Sequence, residues 1–197
     1  MKRLLLSASL AVSAILPSAA QAQAVPPAVI AIVDLEKVTS GCNACRTASA
    51  ALRAQATAQE NREKALITPL QTEQQSIQTA VNALSGKEPD AALQARAKAF
   101  ETKYQQAQEQ AANGRQQIQR NQQYIQKQIS DKLGPIYTQV MQRRGANILV
   151  EIGQTLASGA ALDVTNDVIT SLNTALPTIQ TIAPAAPARP QNQPQGR

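Results

Sequence analysis

Cys42 and Cys45 flank Asn43 and Ala44, and this C-x-x-C spacing is the most reactive pattern in the 197-residue chain. Three chemistries use it. A zinc site normally takes four ligands; the chain offers two thiolates and no His, so zinc would have to be shared between subunits. Thiol-disulfide exchange profits from a helix N-terminus, which lowers a thiol pKa, and is expected near a strand-helix-strand unit. The pair does lie where a strand gives way to a long helix, but no second strand follows for about 100 residues. The third chemistry, a local Cys42–Cys45 disulfide, closes a very small loop, so its entropic stabilisation is modest. The disulfide is the preferred reading, with exchange and metal as alternatives.

Other catalytic patterns are scarce. Without His there is no Ser-His-Asp triad, Cys-His pair, H-E-x-x-H zinc site or haem-His ligation. The eight glycines form neither G-x-x-x-x-G-K-[ST] nor G-x-G-x-x-G. A small-molecule enzyme is therefore the less favoured class, and neither a cofactor nor a metal is expected.

The remaining candidates are surface residues. Lys and Arg number 19 against 13 Asp and Glu, a formal +6. Between positions 96 and 144 stand nine basic residues, Arg96, Lys98, Lys103, Arg115, Arg120, Lys127, Lys132, Arg143 and Arg144, against Glu101, Glu109 and Asp131. The first seven are candidates for a client-binding or anion-binding surface, attracting acidic polypeptide or anionic lipid over about a Debye length of 8–10 Å. Each is equally well read as part of a solvated helix face. Aromatic residues are only 2% of the chain. Phe100 and Tyr104, at i and i+4, share a helix face, where packing between helices is favoured over lining a cavity. Eleven Gln fall between positions 105 and 128. They offer an uncharged hydrogen-bonding surface tolerant of peptide backbone, or reflect low-complexity drift.

These residues need elements to hold them. Lys2 and Arg3, the apolar stretch 4–16 and the A-x-A sites at 20–22 and 22–24 read as a cleaved signal peptide over residues 1–24. The stretch is too short to span a bilayer, which takes about 20 residues. Export implies a soluble product of about +4 in a disulfide-permitting compartment. Residues 29–34 read as a strand. Residues 44–84 and 91–144 are rich in helix formers, with a turn at 85–90 and an interruption at Gly134-Pro135. A second strand is expected at 147–152, a possible third within 153–161, and a short helix capped near Asp163 or Thr165 and ending near Leu176. The Pro/Ala/Gln-rich tail, 177–197, reads as disordered or extended.

The two long helices must run antiparallel, because only a tight turn joins them. A 4-3 seam from Leu52 runs through Gln59, Glu63, Leu66, Leu70 and Ile77 to Leu84, and returns through Phe100, Tyr104, Ala107, Gly114, Asn121 and Ile125. Many of its positions are polar or small, so the pair holds with little surplus, and Pro69 should bend the first helix. The strands and short helix form too small a unit to stand alone, and their edges invite self-association.

The opening strand Val29-Ile-Ala-Ile-Val-Asp34-Leu35-Glu36-Lys37-Val38, the long Gln/Ala/Lys-rich hairpin, the returning strand Ile148-Leu-Val-Glu-Ile152 and the closing 162–169 segment together resemble the Skp/OmpH family of periplasmic chaperones. The resemblance spans the chain to Leu176. It implies an α+β fold: a small β-barrel trimerisation body (25–43 and 136–176) carrying one long antiparallel helical-hairpin arm (44–135) per subunit. Ile30, Ile32, Val33, Ile148, Val150 and Ile152 would supply the strands of the body. It further implies an ATP-independent periplasmic holdase, a homotrimer whose arms surround a cavity and shield unfolded outer-membrane proteins. Anionic lipid or lipopolysaccharide surfaces are further candidate partners, and nucleic acid is not expected. The alternatives are a periplasmic thiol-disulfide exchange protein using Cys42 and Cys45, and a coiled-coil envelope adaptor.

Overall fold

The computed structural model describes residues 25–185; the expected signal peptide and residues 186–197 of the tail lie outside them. In chain order come β1 (Ile30–Val33), α1 (Leu35–Gly41), α2 (Asn43–Ala83), α3 (Ala91–Arg144), β2 (Ile148–Glu151), two 3-10 turns (Ile152–Gln154 and Ala160–Leu162) and α4 (Thr165–Ala175). Most of the described chain is thus helical, with one small two-stranded sheet.

The two long helices have 41 and 54 residues. At 1.5 Å per residue they extend about 60 and 80 Å. The connection between them uses left-handed backbone at Ser85 (φ 50°) and Gly86 (φ 90°). It ends at Asp90, whose carboxylate accepts the Leu93 N–H at 2.8 Å and so caps α3. Three side-chain pairs give the helix direction: Gln55 with Asn121, Glu63 with Arg115 and Glu73 with Lys103. As one index rises the other falls, so α2 and α3 are antiparallel. The expected seam positions from Leu52 to Leu84 and from Leu93 to Ile125 are buried or half-buried, except Tyr104 at 44% exposure. Tyr104 instead stacks on Phe100, with ring centroids 6.0 Å apart.

Several expectations need correction. Gly134-Pro135 does not interrupt α3, which runs unbroken to Arg144. Proline there removes one helical hydrogen bond, but buried Ile136 and Val140 anchor the following turns in the core. Pro69 lies inside α2, where the sequence reading put it. The opening strand does not reach Val38: Asp34 accepts the Lys37 N–H at 2.9 Å and starts α1. β2 stops at Glu151, so Ile152 begins a 3-10 turn rather than contributing to the strand. Residues 153–161 hold no strand. The third backbone contact of the sheet is a single bridge between Ile32 and Asp163.

At the root of the hairpin β1 and β2 pair in parallel, Ile30 with Ile148 through Val33 with Glu151. Asn147 secures the entry, accepting the Val29 N–H at 2.7 Å and donating to the Pro27 carbonyl at 2.8 Å. Beneath the sheet, Val33, Val38, Cys42, Ile136, Val140, Val164, Val168, Leu172 and Leu176 form one buried cluster. Four of these, Val164, Val168, Leu172 and Leu176, recur at helical spacing along α4 and its flanks, which is why that short segment docks. Gly145 (φ 68°) terminates α3, allowing Ala146 N–H to reach the Met141 carbonyl at 2.9 Å. Arg144 then pairs with Asp167 at 2.6 Å, tying the end of α3 to the first turn of α4.

Leu172→Ala leaves a cavity in a fully buried position and should lower unfolding free energy by about 2–5 kcal/mol in urea titration. Hydrogen bonding holds two carboxyls below their ordinary range: Asp34 chiefly through the Lys37 backbone N–H, and Asp163 through Thr165, side chain first and then backbone. Lowered carboxylate pKa values contribute stability that is present above the unfolded value of about 3.9. That stability disappears as pH falls through the lower folded values. Asp34→Asn with Asp163→Asn keeps side-chain acceptors but removes the titration, so the fall of Tm below about pH 5 should be shallower than in the parent chain.

Candidate functional site

Two features of the hairpin carry chemistry. One is the cysteine pair at its foot. Cys42 is shared between two helices: its N–H donates to the Val38 carbonyl at 3.0 Å, ending α1, and its Sγ accepts the Cys45 N–H at 3.1 Å, starting α2. The two sulfurs are bonded to each other. Asn173 of α4 braces the same junction, accepting the Asn43 N–H at 2.8 Å and donating to the Gly41 carbonyl at 3.1 Å. Cys42 is 0% exposed and Cys45 4%, both within the root cluster. Exchange begins with attack of a thiolate on a reachable sulfur. Burial of both sulfurs favours a staple over an exchange centre. Among the described residues no group of three His, Cys, Asp or Glu is placed to hold a metal ion.

The second feature is a groove between α2 and α3, and it already contains polypeptide. After α4 the chain turns at Pro177 and runs toward the tip of the hairpin. Gln128 pairs with Gln180 through both ends of its amide: Nε2 donates to the Gln180 carbonyl at 2.8 Å and Oε1 accepts the Gln180 N–H at 2.9 Å. Gln55 Nε2 lies 3.3 Å from both the carbonyl and the hydroxyl of Thr181. Asn121 Oδ1 accepts the Ala183 N–H at 2.9 Å. Gln128 and Asn121 are seven residues apart on α3, about 10 Å of rise. Three strap residues cover that distance, so the strap is almost fully extended. The part of the tail that is described is therefore extended and held by the helices.

The amides themselves are fixed from behind. Asn121, only 3% exposed, donates to Gln55 Oε1 at 2.7 Å and also accepts from Gln117 at 2.8 Å. Gln117 in turn accepts from the Arg120 guanidinium. Beyond Ile182 the groove continues, open among the described residues, as a depression of about 250 Å³ that includes Gln59, Arg62, Gly114 and Ile118, and then one of about 450 Å³ that includes Leu66 and Gln110. A side chain at Gly114 would collide with the Gln59 amide, so the helices approach closely there.

The seven basic candidates do not form one continuous surface. Lys103 and Arg115 reach across to Glu73 and Glu63, and Lys127 pairs with Asp131 one turn along its own helix. Arg120 is half-buried behind the groove. Arg96 and Lys98 near the tip and Lys132 near the root are exposed and make no ion pair among the described residues. Of the six expected strand residues, five lie in β1 or β2 and Ile152 does not. Ile30 and Ile148 are exposed while Ile32 and Val33 are buried. Sequence reasoning saw the Gln density as suited to peptide backbone but missed Gln55 and the specific roles of Asn121 and Gln128. The 4-3 spacing that puts Asn121 on the seam was the available signal.

A family model described as "Outer membrane protein (OmpH-like)" matches residues 29–172. No curated protein matches the chain significantly. Among solved structures, an OmpH-like protein of Caulobacter crescentus CB15, described as a candidate outer-membrane chaperone, is similar with a TM-score of 0.66 at 16% identity. The match covers 84% of this chain and 98% of that one. At that identity the likeness is one of fold.

The staple reading makes its own prediction. Closing a four-residue loop restricts the unfolded chain by about 2 kcal/mol. Cys42→Ser with Cys45→Ser should lower the unfolding free energy by at least that order in urea titration, and the α-helical circular dichroism at low urea should persist.

Proposed function

We propose a holdase function from one premise: the chain belongs to the OmpH-like family. In this reading the protein is an ATP-independent chaperone of the periplasm, not an enzyme, and its clients are unfolded outer-membrane proteins. Three copies join through the strand-bearing roots, the arms enclose a shared space, and the client lies within it.

The observation that carries the reading is the pairing of a long, thinly sealed hairpin with a root too small to close its own sheet. β2 pairs only with β1 among the described residues, so its other edge has unpaired backbone groups. Such an edge is a template for another chain. At the root Val29, Ile30, Ile148 and Leu162 are exposed, and Leu156 is fully so. Self-association would cover these side chains and pair the edge. The arms suit a client without fixed structure. Their seam includes Gln59, Glu63, Glu73, Gly114 and Asn121. It therefore has little apolar burial holding the helices in one arrangement, and many weak contacts replace a deep pocket. The exposed Arg96, Lys98 and Lys132 add positive potential, which favours acidic polypeptide and would also attract anionic lipid or lipopolysaccharide. Among the described residues, no helix is long and apolar enough to cross a membrane.

Light scattering of the signal-free protein should give three chain masses, and the protein should suppress aggregation of a urea-diluted outer-membrane barrel protein. A monomer without suppression would overturn the proposal. Arg96→Glu, Lys98→Glu and Lys132→Glu together should slow client capture at low salt. The difference from the parent should vanish near 1 M salt, where the Debye length is about 3 Å.

A further inference from the structure

Ile179 packs its side chain against the root cluster, but the hydrogen bonds of segment 177–183 to α2 and α3 run chiefly through its backbone. Gln180 is gripped by its own N–H and carbonyl, Thr181 by its carbonyl and hydroxyl, and Ala183 by its N–H. One edge of a side-chain amide presents a donor beside an acceptor, which matches the N–H and C=O that a single extended residue turns to the same side. A helix face set with them can therefore pair with any extended chain, whatever its side chains. Main-chain pairing with open side-chain positions is the way sheet edges capture extended peptides. Here Gln55, Asn121 and Gln128 stand in for the edge strand. Ile182 is 69% exposed even though it lies beside the groove, so its side chain is not what the groove selects.

We infer that the α2–α3 groove from Gln128 past Asn121 to Gln59 is a binding site for extended polypeptide backbone, and that residues 177–183 occupy it as an internal, displaceable ligand. The groove's continuation beyond Ile182 matches this reading. The same stripe of Gln59, Gln110 and Gly114 carries on toward the tip, and among the described residues no chain lies in it. An incoming segment can start there and displace the strap residue by residue toward the root. The inference rests on the holdase reading only for the source of the ligand, an unfolded client; the site itself is defined by the strap.

The test uses a capped, fluorescein-labelled peptide copying residues 177–185, followed by anisotropy. In the full chain, Gln180→Pro with Ala183→Pro deletes the two N–H groups that hold the strap while leaving its neighbours in place. Losing two such bonds should free the groove and tighten peptide binding about tenfold. Adding Gln55→Ala and Gln128→Ala to that variant should return binding to the parent level or below. A scrambled peptide of the same composition should bind within about threefold of the original, because backbone is being read. Equal binding by strapped and proline-substituted chains, or indifference to Gln55 and Gln128, overturns the inference. So does loss of binding on scrambling, which would make the strap a side-chain-specific structural brace.

A second measurement needs no variant. Amide exchange at Gln180 and Ala183 in the full chain should accelerate when unfolded barrel protein is added, and unchanged exchange with client bound overturns displacement. If peptide binding follows the pattern above but aggregation is not suppressed, the groove stands and the holdase reading falls. Suppression without peptide binding gives the converse.

Discussion

Parallel pairing of Ile30–Val33 with Ile148–Glu151 dictates how the chain must be laid out. Parallel neighbours need a crossover connection, and here the crossover is α1 and the whole hairpin. Both feet of a helix pair about 60 to 80 Å long must therefore meet within one strand spacing. The buried cluster under the sheet enforces that meeting: Val33 and Val38 arrive from one end of the crossover, Ile136 and Val140 from the other, and Leu172 from beyond it. Contacts so distant in sequence form slowly, because loop closure is paid before they reward it. The root cannot assemble until nearly the entire chain is available.

Away from the root, polar contacts between the helices supplement a thin apolar seam that includes Leu70, Ala107, Ala111 and Ile125. Glu63 with Arg115 and Glu73 with Lys103 bridge the helices at exposed or half-exposed positions, where an ion pair contributes at most about 1 kcal/mol. Asn121 takes a seam position that Leu or Ile would fill in a tighter pair, and spends its amide on Gln55, Gln117 and Ala183. Gly114 brings the helices together by subtraction of a side chain. Register is specified this way at little gain in stability. The hairpin is consequently one defined shape that yields at low cost.

Much of this was legible in the residues. The turn at 85–90 was carried by Gly86 and Pro89, the seam by 4-3 spacing, and α4 by Val164, Val168, Leu172 and Leu176. Local signals failed where tertiary anchoring overrode them. Pro135 should end a helix, yet Ile136 and Val140 were already committed to the core and the helix passed through. α1 was hidden because its β-branched and apolar residues, Leu35 and Val38, continued the pattern of the strand before it; only Asp34, three residues before Lys37, marked the cap. In the groove, composition pointed to backbone-tolerant amides but could not select among eleven glutamines. Which of them faces another chain depends on the helix-to-helix register, and that is set by contacts tens of residues apart.

The strap along Gln128, Gln55 and Asn121 begins directly after α4, so it can never diffuse away. A covalently attached occupant competes at an effective concentration on the millimolar scale. Any outside segment must outbid that standing presence. A folded protein with a single exposed loop meets the threshold poorly, whereas a long denatured chain presents many overlapping stretches to the same few amides. The tether thereby works as a filter for the length of disordered sequence, admitting partners according to how much of them is unstructured rather than to what their side chains are.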